Sequence, residues 1–192
     1  GIMTGKYPAR TKSPGPGSQL KSSEYTIAEA LKDNGYSTFI AGKWHLSRGK
    51  SGSSPEEQGF DQNYGGGDSG VPKSYFYPYN IQTRGRGNEN APDITKLPEV
   101  EKGYHLTDQL TDLTLDWIDK NYVSKKSKKP FFIYLSHYEV HTPFEGKLDL
   151  EEKYKAKAER LYEGKNLKNP FSFESTTGET KLRQDNHIYA AM

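Results

Sequence analysis

Lysine and histidine residues occur where the chain is predicted to leave a β-strand. Gly42, Lys43, Trp44 and His45 directly follow a predicted strand over residues 36–41. Ligand sites in open α/β sheets collect just beyond the carboxyl ends of strands. If the chain stays extended through residue 45, Lys43 and His45 project to one side and Trp44 to the other. An ammonium and an imidazole so placed suit an anion such as sulfate or phosphate, and the alternative is an exposed lysine with a packed histidine.

A second group of polar residues follows another apolar run, residues 130–135, which predicts a buried strand. The order His137, Glu139, His141 is H-x-E-x-H rather than the H-E-x-x-H of zinc-binding helices. Pro143 also disfavours a helix continuing through these residues, so we predict no dedicated zinc site. A histidine from this strand end, placed beside the first pair, would complete a cationic cradle with a proton donor.

Three weaker patterns predict no function. Residues 65–70 match G-x-G-x-x-G, but no predicted strand precedes them and Val71-Pro72 follows where a helix is needed, which argues against a dinucleotide site. Residues 1–6 are one residue short of a phosphate-binding P-loop, and no Ser or Thr follows the lysine. The basic residues at 84–87 and 125–129 are typical of solvated loops, so no nucleic-acid partner is predicted.

The surrounding pattern predicts the elements that would position these residues. Thr26 and Glu29 form a capping box, the first helix presents Ile27, Ala30 and Leu31 on one face, and Gly35 ends it. Further helices are predicted over about 107–121 (Leu106, Leu110, Leu113, Trp117 and Ile118 forming its apolar stripe), on the surface over 150–163, and as a start at 185–192. Residues 47–103 predict a long ordered loop region. Helices alternating with strands favour an α/β fold with a mostly parallel sheet.

Composition excludes several classes of protein. The 192 residues include 27 Lys+Arg, 25 Asp+Glu and no Cys, for a formal charge of +2. No apolar run is long enough for a membrane span, and disulfides, thiolate metal sites and a cysteine nucleophile are excluded within these residues. Counting glycine but not tyrosine, apolar residues make up about 34%, against about 45–50% in globular domains. We therefore expect a piece of a larger domain.

Residues 35–46 resemble the second signature of the type I sulfatases, including Gly42, Lys43, Trp44 and His45. Residues 2–8 resemble the tail of that family's first signature, whose C-x-P-x-R beginning would precede Gly1. Further segments recur in the same order in the family, namely residues 59–61, 105–112, 130–135, 141–143 and 188–192. The resemblance covers nearly the whole chain.

The resemblance implies an alkaline-phosphatase-like α/β/α sandwich, incomplete in this chain, that hydrolyses sulfate esters. In the family a cysteine is converted to formylglycine, which attacks sulfur while bound to Ca²⁺. Lys43 matches the lysine that neutralises sulfate oxygens, and His45 the histidine that contacts the formylglycine hydrate and assists sulfate release. His141 matches the histidine near the leaving oxygen, a candidate general acid. Lys43 and His141 would thus bind substrate as well.

The same resemblance places the nucleophile and the metal ligands outside residues 1–192, so we predict no metal ligand here. The expected organisation is a single partial sulfatase catalytic domain over residues 1–192, lacking the N-terminal metal and nucleophile segment and the C-terminal part. The expected substrate is a small-molecule or glycan sulfate ester, with no activity in the isolated chain. An exported location (periplasmic, extracellular or lysosomal) fits the family. The alternatives are a phosphatase or phosphodiesterase of the same superfamily and a non-catalytic module that binds anions or glycans.

Overall fold

A computed structural model of the chain describes residues 1–13, 15, 18–47, 53–82, 88–163, 171–174, 178–182 and 186–192. Parts of the predicted loop region, residues 48–52 and 83–87, lie outside this described part, and the basic residues at 84–87 lie there with them. The chain divides into two compact units, Gly1–Pro143 and Phe144–Met192. The single-domain organisation stays a prediction.

A parallel sheet lies at the centre of the first unit. Its strands are β1 (Ser37–Gly42), β2 (Gln62–Tyr64) and β3 (Phe131–Ser136), in the order β2-β1-β3. Every pairing is parallel, which confirms the predicted α/β class. Because Gly42 pairs with Ser136, β1 and β3 end at the same edge of the sheet. β2 was not predicted, since three residues of Gln-Asn-Tyr carry no apolar alternation.

The helix α1 (Ile27–Asp33) begins with the predicted capping box, in which Thr26 and Glu29 exchange hydrogen bonds. Gly35 follows its end with a φ of +85°, the conformation expected of the glycine after a helix. The fully buried residue of this helix is Ala28, whereas Ile27 is 41% exposed. A Cβ at Gly59 would lie 2.4 Å from the Glu29 nitrogen. The backbone of α1 therefore lies so close to Gly59 that a larger residue would not fit there.

The helix α2 (Leu106–Ile118) confirms the second predicted helix. Leu106, Leu110 and Trp117 of the predicted apolar stripe are buried, whereas Leu113 and Ile118 are only partly so. A wider π-helical turn, Asp119–Ser124, continues α2 beyond the predicted end. The basic residues at 125–129 are all exposed, as expected of a solvated turn.

Aromatic side chains fill much of the core beside the sheet. Phe60 is buried at its centre, edge-on to Trp44 at 6.0 Å between centroids and stacked on Phe132 at 6.0 Å.

The prediction of a buried β3 is wrong, because all six of its residues are exposed or only partly buried. β3 pairs with β1 alone and forms an edge of the three-stranded sheet, so one side of the strand has no neighbour among the described strands.

The second unit contains α3 (Leu148–Leu161), α4 (His187–Ala191) and an antiparallel pair of strands, β4 (Phe171–Glu174) and β5 (Glu179–Leu182). α3 has no buried residue, which confirms the predicted surface helix. α4 confirms the predicted helix start, with the Asn186 side chain accepting hydrogen bonds at its N-terminus. The strand pair was not predicted. Within the described ranges, no helix is long and apolar enough to cross a membrane.

Candidate functional site

The turn after β1 is fixed by a close approach of two backbones. Gly42 has a φ of +103°, and a Cβ there would lie 1.9 Å from the Ser136 carbonyl oxygen. Only glycine fits, since any side chain would overlap the backbone of β3. The Lys43 N–H then donates to the same Ser136 carbonyl at 2.7 Å, and the Ser136 hydroxyl donates to the Lys43 carbonyl. These contacts hold Lys43 at the point where both strands end.

The Lys43 side chain is half-buried, and this burial lowers the pKa of its ammonium group below the ordinary value of 10.5. Among the described residues, no carboxylate forms an ion pair with Lys43. A partly desolvated cation lacking a countercharge is stabilised by an anion bound beside it. The Lys43 ammonium can therefore bind an anionic group such as the sulfate that the sequence predicts.

Trp44 anchors the turn in the core. It is 4% exposed, and its indole N–H donates to the Ser53 carbonyl at 3.0 Å. The buried indole finds its one hydrogen-bond partner while its rings pack on Phe60. The buried Trp44 side chain thus fixes the backbone from which the Lys43 and His45 side chains project.

His45 leaves the turn in a different direction from the one expected. The strand ends at Gly42, and His45 has a φ of +53°, so the assumption of an extended chain through residue 45 is wrong. The side of the chain on which His45 lies is set instead by the glycine-rich residues after β2. The His45 N–H donates to the Gly67 carbonyl at 3.0 Å, and its ring lies against Gly70, where a Cβ would be 2.4 Å from Cε1.

The glycine-rich residues 65–70 directly follow β2, which corrects the statement that no strand precedes them. No helix follows them, so the structure still lacks the helix N-terminus of a dinucleotide site. Asn63 bridges the turn, donating to the Gly66 carbonyl and accepting from the Gly66 N–H. These glycines make room for neighbouring groups instead of binding a pyrophosphate.

The residues after β3 form an irregular segment, as Pro143 predicted. His141 is exposed, its N–H donates to the Tyr138 carbonyl at 3.1 Å, and its carbonyl accepts from the Tyr75 hydroxyl at 3.0 Å. Its Nδ1 lies 3.3 Å from the Thr142 carbonyl oxygen and 3.1 Å from the Thr142 hydroxyl. A proton on Nδ1 satisfies both contacts, since a carbonyl only accepts and a hydroxyl can accept, and it would leave Nε2 for a ligand.

The structure ties each predicted site residue to its neighbours in a different way. The peptide of Lys43 is bound to β3, the ring of His45 lies on Gly70, and the backbone of His141 is held by Tyr75. All three follow the carboxyl ends of strands in one parallel sheet. Convergence of the Lys43, His45 and His141 side chains on one ligand stays a prediction.

Glu139 and His137 are titratable residues to which the sequence assigned no role in the site. Burial raises the pKa of Glu139 to about 7, with a smaller contribution from Asp108, and the Thr107 hydroxyl donates to Glu139 Oε1. Glu139 Oε2 and His137 Nδ1 are buried without a hydrogen-bond partner in the described part of the chain. Burial also lowers the pKa of the half-buried His137. The H-x-E-x-H spacing was the one signal that pointed to them.

A family model for sulfatases matches residues 1–190. The chain belongs to the sulfatase family. This sulfatase shares the alkaline-phosphatase-like fold with its structural neighbours, and its parallel sheet and flanking helices are a part of that fold.

Named relatives agree with that membership. The sulfatase is 30% identical over 168 residues to an arylsulfatase of Hemicentrotus pulcherrimus, covering 73% of this chain and 27% of the relative. It is 25% identical over 197 residues to an N-acetylgalactosamine-6-O-sulfatase of Bacteroides thetaiotaomicron, covering 74% of this chain and 38% of the relative. The solved complex of Ps i-CgsB with k-i-k-neocarrahexaose superimposes with a TM-score of 0.59 at 25% identity, covering 100% of this chain and 39% of that one.

The sulfatase thus spans roughly a quarter to two-fifths of the length of these relatives. Within the described residues, no group of three or more His, Asp or Glu could hold a metal ion. These residues do not fit the oxygen cage that Ca²⁺ requires. The chemistry open to them is binding of an anion and movement of a proton.

Proposed function

We propose that the protein containing these residues hydrolyses sulfate esters and releases inorganic sulfate. Lys43 binds the sulfate oxygens, His45 assists release of sulfate, and His141 donates a proton to the leaving oxygen. The formylglycine nucleophile and its Ca²⁺, which the family resemblance implies, would supply the attack on sulfur. The family membership carries the class of reaction, and the geometry of these three residues supports their division of roles.

The half-buried ammonium of Lys43 is the observation that supports the proposal most directly. Its backbone is held by Ser136 from two sides, and no described carboxylate neutralises it. Negative charge grows on the oxygens around sulfur and on the leaving oxygen as the ester bond breaks. A preorganised cation stabilises that charge without having to reorganise during the reaction.

The exposed ring of His141 supports the role of proton donor. When Nδ1 is held by the Thr142 carbonyl, the second proton of the imidazolium lies on Nε2, where a leaving oxygen can accept it. His45 is exposed as well, so both residues can be reached from solvent. A proton donor matters most when the leaving group is a poor one, such as a sugar hydroxyl.

A sulfated carbohydrate is the substrate class that we propose. One relative is named an N-acetylgalactosamine-6-O-sulfatase, and the superimposed neighbour was solved in complex with k-i-k-neocarrahexaose. The exposed positions of His45 and His141 agree with a site that accepts one unit of a longer chain. Assays with a sugar sulfate, an aryl sulfate and the matching phosphate ester distinguish this proposal from a phosphatase. A module without catalytic function would bind the sugar sulfate and turn over none of the three.

Lys43→Ala in a full-length protein containing these residues tests the proposal. Turnover of every sulfate ester should fall about 10²–10³-fold, the typical cost of one preorganised group. Lys125→Ala is the matched control, because Lys125 is exposed and distant in sequence from the strand ends. A large fall in melting temperature with little loss of turnover in Lys43→Ala would show that the lysine only holds the strand ends together.

His141→Ala is tested on two substrates in parallel. Turnover of a sugar sulfate should fall much more than turnover of a nitrophenyl sulfate, because nitrophenolate leaves without a proton. An equal fractional loss on both substrates would reject the role of general acid and leave only sulfate binding.

The isolated 192-residue chain should turn over no aryl sulfate and should bind Ca²⁺ poorly. It contains no cysteine from which the nucleophile could form, and Ca²⁺ needs several oxygen ligands. Turnover by the purified chain that survives Lys43→Ala would place the chemistry elsewhere.

A further inference from the structure

We infer that residues 70–75, here called the support segment, position the rings of both candidate histidines. Gly70 at one end contacts the side chain of His45, and Tyr75 at the other end binds the backbone of His141. Gly70 and Tyr75 are positioning residues, since they act through the histidines and not on the substrate. The inference rests on the proposed function for its effect on turnover, but not for its effect on the rings.

The contact between Gly70 and His45 leaves no room for a side chain. A Cβ at Gly70 would lie 2.4 Å from Cε1, 2.6 Å from Nδ1 and 2.8 Å from Nε2 of His45. Three atoms of the imidazole thus lie within 2.8 Å of the place where a side chain would begin. Gly70 is not among the glycines with positive φ, so its role is the space it leaves and not an unusual backbone conformation. A methyl group at Gly70 would push the ring away while leaving the backbone unstrained.

The contact between Tyr75 and His141 spans 66 positions in the sequence, and its geometry is fixed at the tyrosine end. Tyr75 is fully buried, its ring stacks on that of His105 at 5.9 Å, and its carbonyl accepts from the Leu106 N–H at 2.8 Å. The hydroxyl that reaches His141 is therefore held by α2 as well as by the segment. It fixes the peptide of His141 and leaves the ring open.

The support segment is itself tied down between its two ends. The Lys73 and Ser74 N–H groups each donate to the Tyr79 carbonyl at 3.1 Å, and the Lys73 ammonium pairs with Asp93. Because only four residues separate Gly70 from Tyr75, a fixed segment sets the places of the His45 ring and the His141 backbone together. Displacing a reacting group by about 1 Å can cost about 10²-fold in rate.

Two single variants with matched controls test the inference in a full-length protein containing these residues. Gly70→Ala should lower kcat about 10²-fold. Gly15→Ala should change kcat less than about twofold, because Gly15 has no positive φ and its Cβ would meet no atom within 4 Å. Tyr75→Phe should lower kcat roughly three- to tenfold on a sugar sulfate, the worth of one hydrogen bond. Tyr79→Phe removes a buried hydroxyl that has no described partner and should leave kcat unchanged.

Imidazole NMR signals give a readout that does not depend on turnover. Gly70→Ala should shift the ring signals of His45, and Tyr75→Phe those of His141, while neither control moves them. Unshifted signals in Gly70→Ala or Tyr75→Phe would overturn the inference. Shifted signals with full turnover would keep the positioning and reject the catalytic roles of the histidines, so the two failures are distinguishable.

A double variant keeps the test decisive if Gly70→Ala alone folds poorly. In a His45→Ala background the ring is absent, so Gly70→Ala should cause no further loss of turnover or of melting temperature. An equal fall in melting temperature with and without the ring would show that the added methyl group disturbs the loop itself, which would overturn the assignment of Gly70 to His45.

Discussion

The turn after β1 and the segment after β3 lie at the same edge of one sheet but are built differently. The β1 turn is held by backbone contacts, and Gly42 leaves no space between it and the Ser136 carbonyl. The β3 segment (residues 137–143) is held by side-chain hydrogen bonds, one from Tyr75 to the His141 carbonyl and one from its own Tyr138 to the Gly65 carbonyl. It also contains buried polar atoms without described partners. The stability of the β1 turn should therefore be lowered by larger side chains. The stability of the β3 segment should be lowered by the loss of hydrogen bonds and should depend on pH.

This difference matches the chemistry that each region would perform. Binding of sulfate requires a cation at a fixed place, and the β1 turn fixes the backbone of Lys43 through Ser136. Movement of a proton requires a group whose surroundings govern its protonation, and the β3 segment carries two histidines and a carboxyl group whose pKa is raised by burial. Preorganisation and tuning of protonation thus belong to neighbouring strand ends.

Gly42→Ala should have the largest effect on stability. Its methyl group would overlap the Ser136 carbonyl in a backbone conformation that side chains rarely adopt, so the free energy of unfolding should fall by about 3 kcal/mol or more. Gly35→Ala is the matched control, since Gly35 also has a positive φ but has no atom within 4 Å of its Cβ position. That control should cost only about 1 kcal/mol. Equal losses in urea unfolding would show that strain, and not the close approach of β3, sets the requirement for glycine.

The two regions also differ in how far the sequence predicted them. A capping box, a glycine after the helix and a β-branched run located α1, β1 and the strand end at Gly42. These signals are local, because each depends on residues within one turn or one strand. The direction of His45 was missed since it depends on Gly67 and Gly70, more than 20 residues away. Periodicity does not report such contacts.

The burial of β3 and the state of Glu139 were missed for a related reason. An apolar run predicts that a strand is covered on both faces of its sheet, but β3 is an edge strand of the described sheet and none of its residues is fully buried. The pKa of Glu139 depends on burial and on Asp108, which is 31 positions away in the sequence. The sequence identified the types of residue at the candidate site. The burial and contacts of these residues could be seen only in the folded structure.

Tyr138→Phe should have an intermediate effect and sharpens the contrast with the β1 turn. The buried Tyr138 hydroxyl donates to the Gly65 carbonyl at 2.9 Å, and its loss leaves that carbonyl without this donor. The free energy of unfolding should fall by about 1–2 kcal/mol. Tyr79→Phe removes a buried hydroxyl with no described partner and should cost less than about 0.5 kcal/mol. Equal losses in urea unfolding would show that burial alone, and not the bond to Gly65, explains the effect of Tyr138.

Glu139→Gln should have the smallest effect, and that effect should depend on pH. Burial raises the pKa of Glu139 from 4.5 to about 7, so between these values the folded protein keeps a proton that the unfolded chain has released. The stabilisation from this proton is complete below about pH 4.5 and is lost as the pH rises through 7. The amide oxygen of Gln can still accept from the Thr107 hydroxyl but does not titrate.

Melting temperatures of the wild type and of Glu139→Gln measured between pH 4.5 and 8 test this prediction. As the pH rises, the free energy of unfolding of the variant should increase relative to that of the wild type. The total change should be only about 1 kcal/mol, because Glu139 is partly exposed and its carboxyl group keeps some of its hydration. Burial also lowers the pKa of His137, which favours folding at higher pH, but both proteins contain His137 and the difference between them cancels it. Glu89→Gln, at an exposed site, is the control, and its melting temperature should differ from that of the wild type by the same amount at every pH. A constant difference between the wild type and Glu139→Gln across this range would mean that Glu139 titrates as it does in the unfolded chain, and that the β3 segment does not respond to pH through this carboxyl group.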